Sequence, residues 1–360
     1  MKIFQLIQKP QERGAELFAS LLSEELKTKG HEVLLISLFE GKSQLPFSGR
    51  QIHFQRSLHK RLWDWKAWKS FAELVQYEKP DIIQANAADT LKFAVLSRLF
   101  FGWKVPIIFR NASLISAYIS NFGVRKFNQF LLNQVEGIAS VSKASQEDMN
   151  RAFPLKKPIY RVIPIGISPI SKGLNSPNSK KKELVHIGGF TFEKNHFHLL
   201  ELFEDLLQGD AEYHLKLIGD GPLLTQVKNE VLKRSLSKKV ELTGAIKNPF
   251  SVISSNSILL LPSKIEGLPS VILEAMAYKI PVIAHGVGGI PEILKNGETG
   301  WCITPGDKLG FIQAIQEVSN LDPKTKDQIL ENAFKMVQER FALEKVTQQF
   351  EEFYESILHS

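Results

Sequence analysis

The sequence predicts an α/β protein of two domains, each a parallel sheet wound with helices, on three observations. Short β-branched runs alternate with amphipathic segments from end to end, the pattern of successive strand–helix–strand units. At 360 residues the chain is longer than one hydrophobic core usually serves, so two domains with a cleft between them are expected. Near the middle, residues 169–183 shift to Ser, Asn, Pro, Gly and the run Lys180, Lys181, Lys182, which buries little and suits an exposed connection.

Strands of the first half are predicted at 2–8, 32–38, 81–86, 106–110, 137–142 and 162–167. Between the first two lies a helix: Ala15, Phe18, Leu22 and Leu26 recur at three and four residues, Glu24, Glu25, Lys27 and Lys29 take the other side, and Gly30 suits the position just past its end. After the connection the alternation restarts, with strands at 184–187, 214–218, 240–242, Ile258–Leu261, 281–284 and 301–304. Residues 322–358 read as helical and strongly charged. The domains are therefore placed at 1–168 and 184–341, with 169–183 as linker and 342–360 as a C-terminal helix that folds back on the first domain.

Hydrophobic residues at 43% and charged residues at 23% exclude wholesale disorder and fibrous repeats. The single cysteine, Cys302, excludes an internal disulfide framework and fits a reducing compartment. The N-terminus mixes polar residues among apolar ones and soon meets Pro10, which suits a strand better than a signal segment. No apolar run approaches the ~20 residues that span a bilayer, so a cytoplasmic protein is expected. The net charge of +7 and pI of about 9.2 fit a generally basic surface, anionic lipid headgroups or a phosphate-rich ligand. Nucleic acid is not expected as a partner, because no recognised nucleic-acid motif can be placed.

Parallel sheets bind ligands beyond the carboxyl ends of their strands, where free amides at helix N-termini favour anions. Three loops of the second half follow strands in this way. In the first, Gly188 and Gly189 end a strand and Lys194 and Asn195 follow; glycines admit a phosphate close to the backbone and Lys194 supplies a point charge. Taken singly it equally describes an ordinary glycine turn with a surface lysine. The second runs Gly219-Asp220-Gly221-Pro222 into a helix. The third carries Glu266 in a loop, the turn Gly267-Leu268-Pro269, and Ser270 and Glu274 on the helix that this turn opens. Both carboxylates can then face one pocket, with the intervening amides at a helix N-terminus.

The segment from Glu266 to Glu274 resembles the signature of retaining glycosyltransferases of the GT-B fold, specifically glycosyltransferase family four (glycosyl transferases group 1). The resemblance extends along the chain in family order: Arg13-Gly14-Ala15-Glu16, Val141-Ser142-Lys143, Ile163-Pro164-Ile165-Gly166, the loop from Gly188 to Asn195, Gly219-Asp220-Gly221-Pro222-Leu223, Gly288-Gly289-Ile290-Pro291-Glu292, and Asn296-Gly297-Glu298-Thr299-Gly300. It implies two Rossmann-like doubly wound domains facing across a cleft, the first binding acceptor and the second a UDP- or GDP-sugar donor. It implies that Glu274 binds ribose hydroxyls, that Glu266 faces the transferred sugar, that Lys194 and the amide of Gly14 hold the diphosphate, and that the amides of Gly267, Leu268 and Ser270 contact sugar and phosphate. The nucleotide sugar is then a substrate. No cofactor or metal is expected, since no Asp-x-Asp or comparable ligand cluster follows a strand.

This chain departs from the family pattern at three places. Arg110-Asn111 stand where many relatives carry a histidine; Arg110 either contacts phosphate or sugar or pairs with a carboxylate. Gly189 stands where Arg is frequent, leaving more of the phosphate charge to Lys194, and Ile165 stands where Asn is common.

On the acceptor side, Trp63, Trp65 and Trp68 sit among Arg56, Lys60, Arg61, Lys66 and Lys69, a mixture suited to peripheral contact with an anionic membrane at the inner face of the cytoplasmic membrane. Leu62, Trp65, Trp68, Ala72 and Val75 equally fit the buried stripe of an ordinary helix. The segment Phe100-Phe101-Gly102-Trp103-Lys104 has the same aromatic and basic character. The leading expectation is transfer to a glycan or lipid-linked acceptor in cell-surface polysaccharide or lipopolysaccharide assembly. A nucleotide-sugar 2-epimerase of similar fold and a non-catalytic nucleotide-sugar binder are the alternatives. A dinucleotide oxidoreductase would need Gly-x-Gly-x-x-Gly after an early strand, and the loop from Lys9 to Gly14 lacks it.

Overall fold

The computed structural model describes residues 1–11, 13–41, 43–61, 63–169, 182–209 and 212–360. Of the predicted linker, 170–181 lies outside the described residues, as does Leu62 of the helical stripe. The chain forms two compact units, Met1–Ser168 with Ala342–Ser360, and Pro169–Phe341.

The N-terminal unit contains β1 (Lys2–Ile7), α1 (Gly14–Thr28), β2 (Glu32–Phe39), β3 (Arg50–Arg56), α2 (Trp65–Glu78), β4 (Ile82–Ala85), α3 (Ala88–Phe101), β5 (Ile107–Asn111), α4 (Phe122–Leu132), β6 (Gly137–Ser140), α5 (Lys143–Ala152) and β7 (Ile159–Val162). Its seven strands pair in parallel in the order β3-β2-β1-β4-β5-β6-β7, reversing direction between β1 and β4. The central strands are buried on both faces, which is why they read as nearly continuous apolar runs.

Two strands differ from expectation. β3 was not anticipated: Ile52 and Phe54 are its only large apolar residues, set among polar neighbours, the sparse pattern of an edge strand. β7 lies at Ile159–Val162 rather than 162–167, because Pro164 has no N–H to donate to a ladder; Ile167 makes only an isolated bridge to Ala342.

The C-terminal unit contains β8 (Lys182–Ile187), α6 (His196–Gly209), β9 (Tyr213–Ile218), α7 (Leu224–Lys233), β10 (Val240–Gly244), β11 (Ile258–Leu261), α8 (Ser270–Ala277), β12 (Val282–His285), β13 (Trp301–Ile303), α9 (Lys308–Asn320) and α10 (Pro323–Arg340). Its parallel sheet runs β10-β9-β8-β11-β12-β13 and reverses between β8 and β11. A crevice for ligands opens at the carboxyl ends of strands where the order reverses, which in this unit is at the loops after β8 and β11.

The charged stretch 322–358 is two helices. α10 ends at Arg340, Ala342 is extended, and α11 (Leu343–Leu358) continues in the N-terminal unit after the Leu343 amide donates to the carbonyl of Ile167. α11 buries Val346, Phe350, Phe353 and Tyr354, with Phe350 against Phe18 of α1. Tyr354 closes a buried polar ring. Its hydroxyl donates to Gln84 Oε1 at 2.7 Å, Gln84 Nε2 to Asn86 Oδ1 at 3.0 Å, Asn86 Nδ2 to Gln5 Oε1 at 2.9 Å, and Gln5 Nε2 returns to the hydroxyl at 3.2 Å. A ring with all its members satisfied fixes the register of α11 on β1 and β4, and losing one member strands the others.

Tyr354→Phe removes one donor and one acceptor from that ring and is expected to lower unfolding free energy by about 1–3 kcal/mol. Urea denaturation followed by tryptophan fluorescence checks it, since four of the five tryptophans lie in the N-terminal unit; an unchanged midpoint would contradict the role given to the ring.

Candidate functional site

The loops after β8 and β9 are zipped together by backbone. The Gly188 amide donates to Ile218 O at 2.9 Å, Phe190 N to Asp220 O at 3.0 Å, and Leu223 N to Phe190 O at 3.0 Å. Gly219 has φ +150°, and a Cβ there would stand 2.0 Å from the carbonyl oxygen of Gly188, so the crossing admits only glycine. Gly189, where the family pattern favours arginine, adds no charge of its own.

From Thr191 the chain makes a short 3-10 turn, Phe192–Lys194, and Asn195 takes the left-handed conformation at φ +58°, which asparagine tolerates better than most residues. The Asn195 amide nitrogen donates to Pro262 O at 3.2 Å, and the Lys264 amide to Glu193 O at 2.7 Å. These bonds tie the β8 loop to the β11 loop. They bring Lys194 over Gly188, and its Nζ donates to Glu266 Oε1 at 2.7 Å.

Glu266 is 8% exposed and is held from behind. Gly288, at φ +57°, packs so closely that a Cβ would lie 1.8 Å from the Glu266 carbonyl oxygen, and the Gly289 amide donates to Gly267 O at 2.7 Å. The Gly288-Gly289 pair recognised in the sequence thus supports the Glu266 loop. Leu268 is buried, and Pro269 occupies the N-cap of α8 without a side-chain acceptor. The amides of Ser270 and Val271 then have no partner within the helix and carry the positive end of its dipole.

Glu274 stands one turn after Ser270 on the same helix face. Burial pushes its carboxyl above the ordinary value, and the Ser270 hydroxyl opposes the shift. An acid held partly out of water beside free helix amides is poised to accept hydroxyl donors from a ligand.

Four histidines escaped the sequence reading. His186 and His196 are fully buried edge to face, with ring centroids 4.6 Å apart, and His196 stacks on Phe190 at 4.1 Å. Burial pushes His186 down to about 4 and His196 down to about 2, so both imidazoles are neutral behind the glycine loop. His186 Nδ1 bonds the Leu260 carbonyl at 2.8 Å. Beside them a cavity of about 540 Å³ is lined by Asn195, His198, Ser263, Lys264 and His285 among others. The spacings 186/196 and 198/285 match no motif, so no signal marked them.

Gly14 and Arg110 belong to the N-terminal unit. Gly14 is exposed at the start of α1, whose N-cap residue Arg13 offers no side-chain cap. Arg110, the penultimate residue of β5, is 1% exposed, its guanidinium 4.3 Å over the Phe18 ring and its Nε and Nη1 without hydrogen-bond partners among the described residues. Burial pushes it down to about 10, and the neighbouring carboxylate of Glu16 works against that shift. Ile165 is buried in the same unit. Among the described residues, no group of three or more His, Cys, Asp or Glu is placed to hold a metal ion, and no helix is long and apolar enough to cross a membrane.

Residues 170–336 match the family described as Glycosyl transferases group 1, and residues 13–169 match Glycosyltransferase Family 4. N-acetyl-alpha-D-glucosaminyl L-malate synthase of Bacillus anthracis is 26% identical over 97% of this chain and 95% of its own length. The amylovoran biosynthesis glycosyltransferase AmsD of Erwinia amylovora is 26% identical over 79% of this chain and 80% of its own. Among solved structures, Anabaena HepE in complex with UDP-glucose superposes with a TM-score of 0.80 at 19% identity, covering 99% of this chain and 100% of that one. At that identity the likeness establishes the fold, which is GT-B.

The raised Glu274 carboxyl carries a stability signature. A carboxyl whose folded value exceeds its unfolded one favours the protonated form, so ionisation subtracts stability. That penalty is absent below the ordinary value of 4.5 and complete above the raised one. Glu274→Gln is therefore expected to melt higher than wild type at pH 7.5 and to lose this advantage by pH 4; equal or lower melting at pH 7.5 would contradict the assignment.

Proposed function

The chain belongs to the glycosyl transferases group 1 family, and from that premise we propose that it is a retaining, metal-independent glycosyltransferase moving a sugar from a UDP- or GDP-sugar to a glycan or lipid-linked acceptor in cell-surface polysaccharide assembly. The observation that carries the reading is the Lys194–Glu266 pair at 2.7 Å beside the N-terminus of α8. In this reading an incoming diphosphate takes Lys194 from Glu266 and lies against Gly188, the amide of Gly189 and the amides of the first turn of α8. Glu274 accepts from the ribose hydroxyls, and the released Glu266 carboxylate accepts from hydroxyls of the transferred sugar.

The chemistry needs little more. The acceptor oxygen bonds to the anomeric carbon on the face from which the diphosphate departs. The bond between that carbon and the phosphate oxygen breaks with its electron pair on the phosphate, and the acceptor proton passes to a phosphate oxygen. The main demand is charge developing on the leaving group, which preorganised amides and one ammonium are suited to meet. Uracil as the donor base is supported by the UDP-glucose of the HepE structure, and a biosynthetic transfer by the name of AmsD. Arg110, buried against Phe18 beside Glu16, is read as holding the first turn of α1, and with it Gly14, in place.

A thermal-shift panel of nucleotide sugars is expected to show stabilisation by one UDP- or GDP-sugar, since a ligand selective for the folded state raises apparent stability. Lys194→Ala and Glu274→Ala are each expected to cut donor hydrolysis or transfer by about 100-fold or more, an oxyanion-stabiliser-sized loss. Undiminished activity in both variants would refute the site. Transfer should survive a chelator; loss of activity restored by a divalent cation would refute metal independence. Release of an epimerised sugar, or binding with no turnover on any acceptor, would move the chain to the alternative readings.

A further inference from the structure

Both exposed tryptophans and four of the five exposed phenylalanines among the described residues lie on or beside α2, α3 and α4, three helices that pack in series, α2 on α3 and α3 on α4. The start of α2 and the end of α3 form one aromatic cluster. Trp68 is buried and stacks on Phe100 at 5.4 Å, Trp63 meets Trp68 at 5.1 Å and Phe100 at 5.6 Å, and Trp65 meets Phe101 at 4.8 Å. Its outer rings stay in solvent: Trp63 is 62% exposed, Trp65 45% and Phe100 44%. α4 repeats the arrangement with Phe122, Phe127 and Phe130 exposed and Lys126 5.3 Å over the Phe122 ring.

The charge of these segments is one-sided. Residues 60–70, 99–104 and 121–132 carry Lys60, Arg61, Lys66, Lys69, Lys104, Arg125 and Lys126 against the single acid Asp64, which is buried and bound to Arg56 at 3.0 Å. All seven cations are exposed. A soluble surface rarely leaves that many aromatic rings in water without a use. Aromatic rings flanked by lysine and arginine, with almost no acid, are the composition of a surface that sits at a lipid headgroup boundary.

We propose that the outer side of the α2–α3–α4 layer docks the protein peripherally on an anionic phospholipid bilayer, with Trp63, Trp65, Phe100 and Phe122 entering the interface and Lys66, Lys104, Arg125 and Lys126 meeting phosphates. This deepens the functional reading by naming where a lipid-linked acceptor is met, and rests on it for that purpose alone, since vesicle binding requires no nucleotide sugar. The two readings of the Trp63–Trp68 stretch divide between residues: Trp68, Ala72 and Val75 form the core stripe, while Trp63 and Trp65 face outward.

The test is flotation of the full chain with vesicles of phosphatidylglycerol in phosphatidylcholine and with phosphatidylcholine alone. Binding to the anionic vesicles is expected to be about tenfold or more tighter, to weaken with salt and to shift tryptophan emission to the blue. The paired variants Trp63→Ser with Phe122→Ser, and Lys66→Glu with Lys126→Glu, change exposed side chains and should melt as wild type. Each pair is expected to reduce anionic binding about tenfold or more while retaining the donor-induced thermal shift, which keeps the outcome separate from the donor site. No binding, equal binding to both vesicle types, or binding untouched by the variants overturns the proposal. Concentration-dependent self-association through this face without vesicle binding overturns it in favour of a second copy of the chain.

Discussion

Gly288 lies against the carbonyl of Glu266 and Gly219 against the carbonyl of Gly188, each at a distance that no Cβ could share. Every charged group of the candidate donor site takes its position from these two backbone crossings. The first fixes the loop that carries Glu266 into α8; the second fixes the loop that carries Lys194 over Gly188. With both pinned, an ammonium and a carboxylate 72 residues apart in sequence meet at 2.7 Å, partly shielded from water. Such a pair contributes little net stability by itself. Its value lies in holding a cation in place beside the free amides of a helix until a phosphate offers a stronger partner.

The rest of the C-terminal unit keeps that arrangement stiff and dry. His186 and His196 stay neutral behind the glycine loop, so they fill space against Phe190 without adding charge that would compete with Lys194. Glu274 is held above its ordinary pKa by burial, a local destabilisation of the kind that concentrates at sites built for a ligand. In the N-terminal unit the same economy appears as the closed ring of Gln5, Gln84, Asn86 and Tyr354, which leaves none of its members unpaired beneath α11.

Much of this was legible in the sequence because it is local. The spacing from Glu266 to Glu274 could be read directly, since the turn at Gly267-Leu268-Pro269 opens a helix and helical geometry does the rest. The strand–helix alternation marked eleven of the thirteen strands, because buried parallel strands are apolar on both faces; β3, an edge strand with two large apolar residues, carries no such mark, and β7, the opposite edge, was expected several residues too late. What the sequence could not contain was long-range pairing. Nothing local says that Lys194 reaches Glu266, that Gly288 backs Glu266, or that His198 and His285 line one cavity. Arg110 shows the same limit: its place near the end of β5 was readable, but its stacking on Phe18 beside Glu16 depends on how α1 lies across the sheet. Periodicity likewise offered Trp65 and Trp68 as one stripe, and only packing separates the buried ring from the exposed one.

Donor binding in this site requires Lys194 to exchange one anion for another. A crystal structure with bound UDP tests this most directly. The expected result is a diphosphate at the N-terminus of α8 with Lys194 Nζ at about 3 Å from a phosphate oxygen, its bond to Glu266 broken, and the ribose on Glu274. UDP bound elsewhere in the C-terminal unit, or bound with the Lys194–Glu266 pair intact, would contradict it.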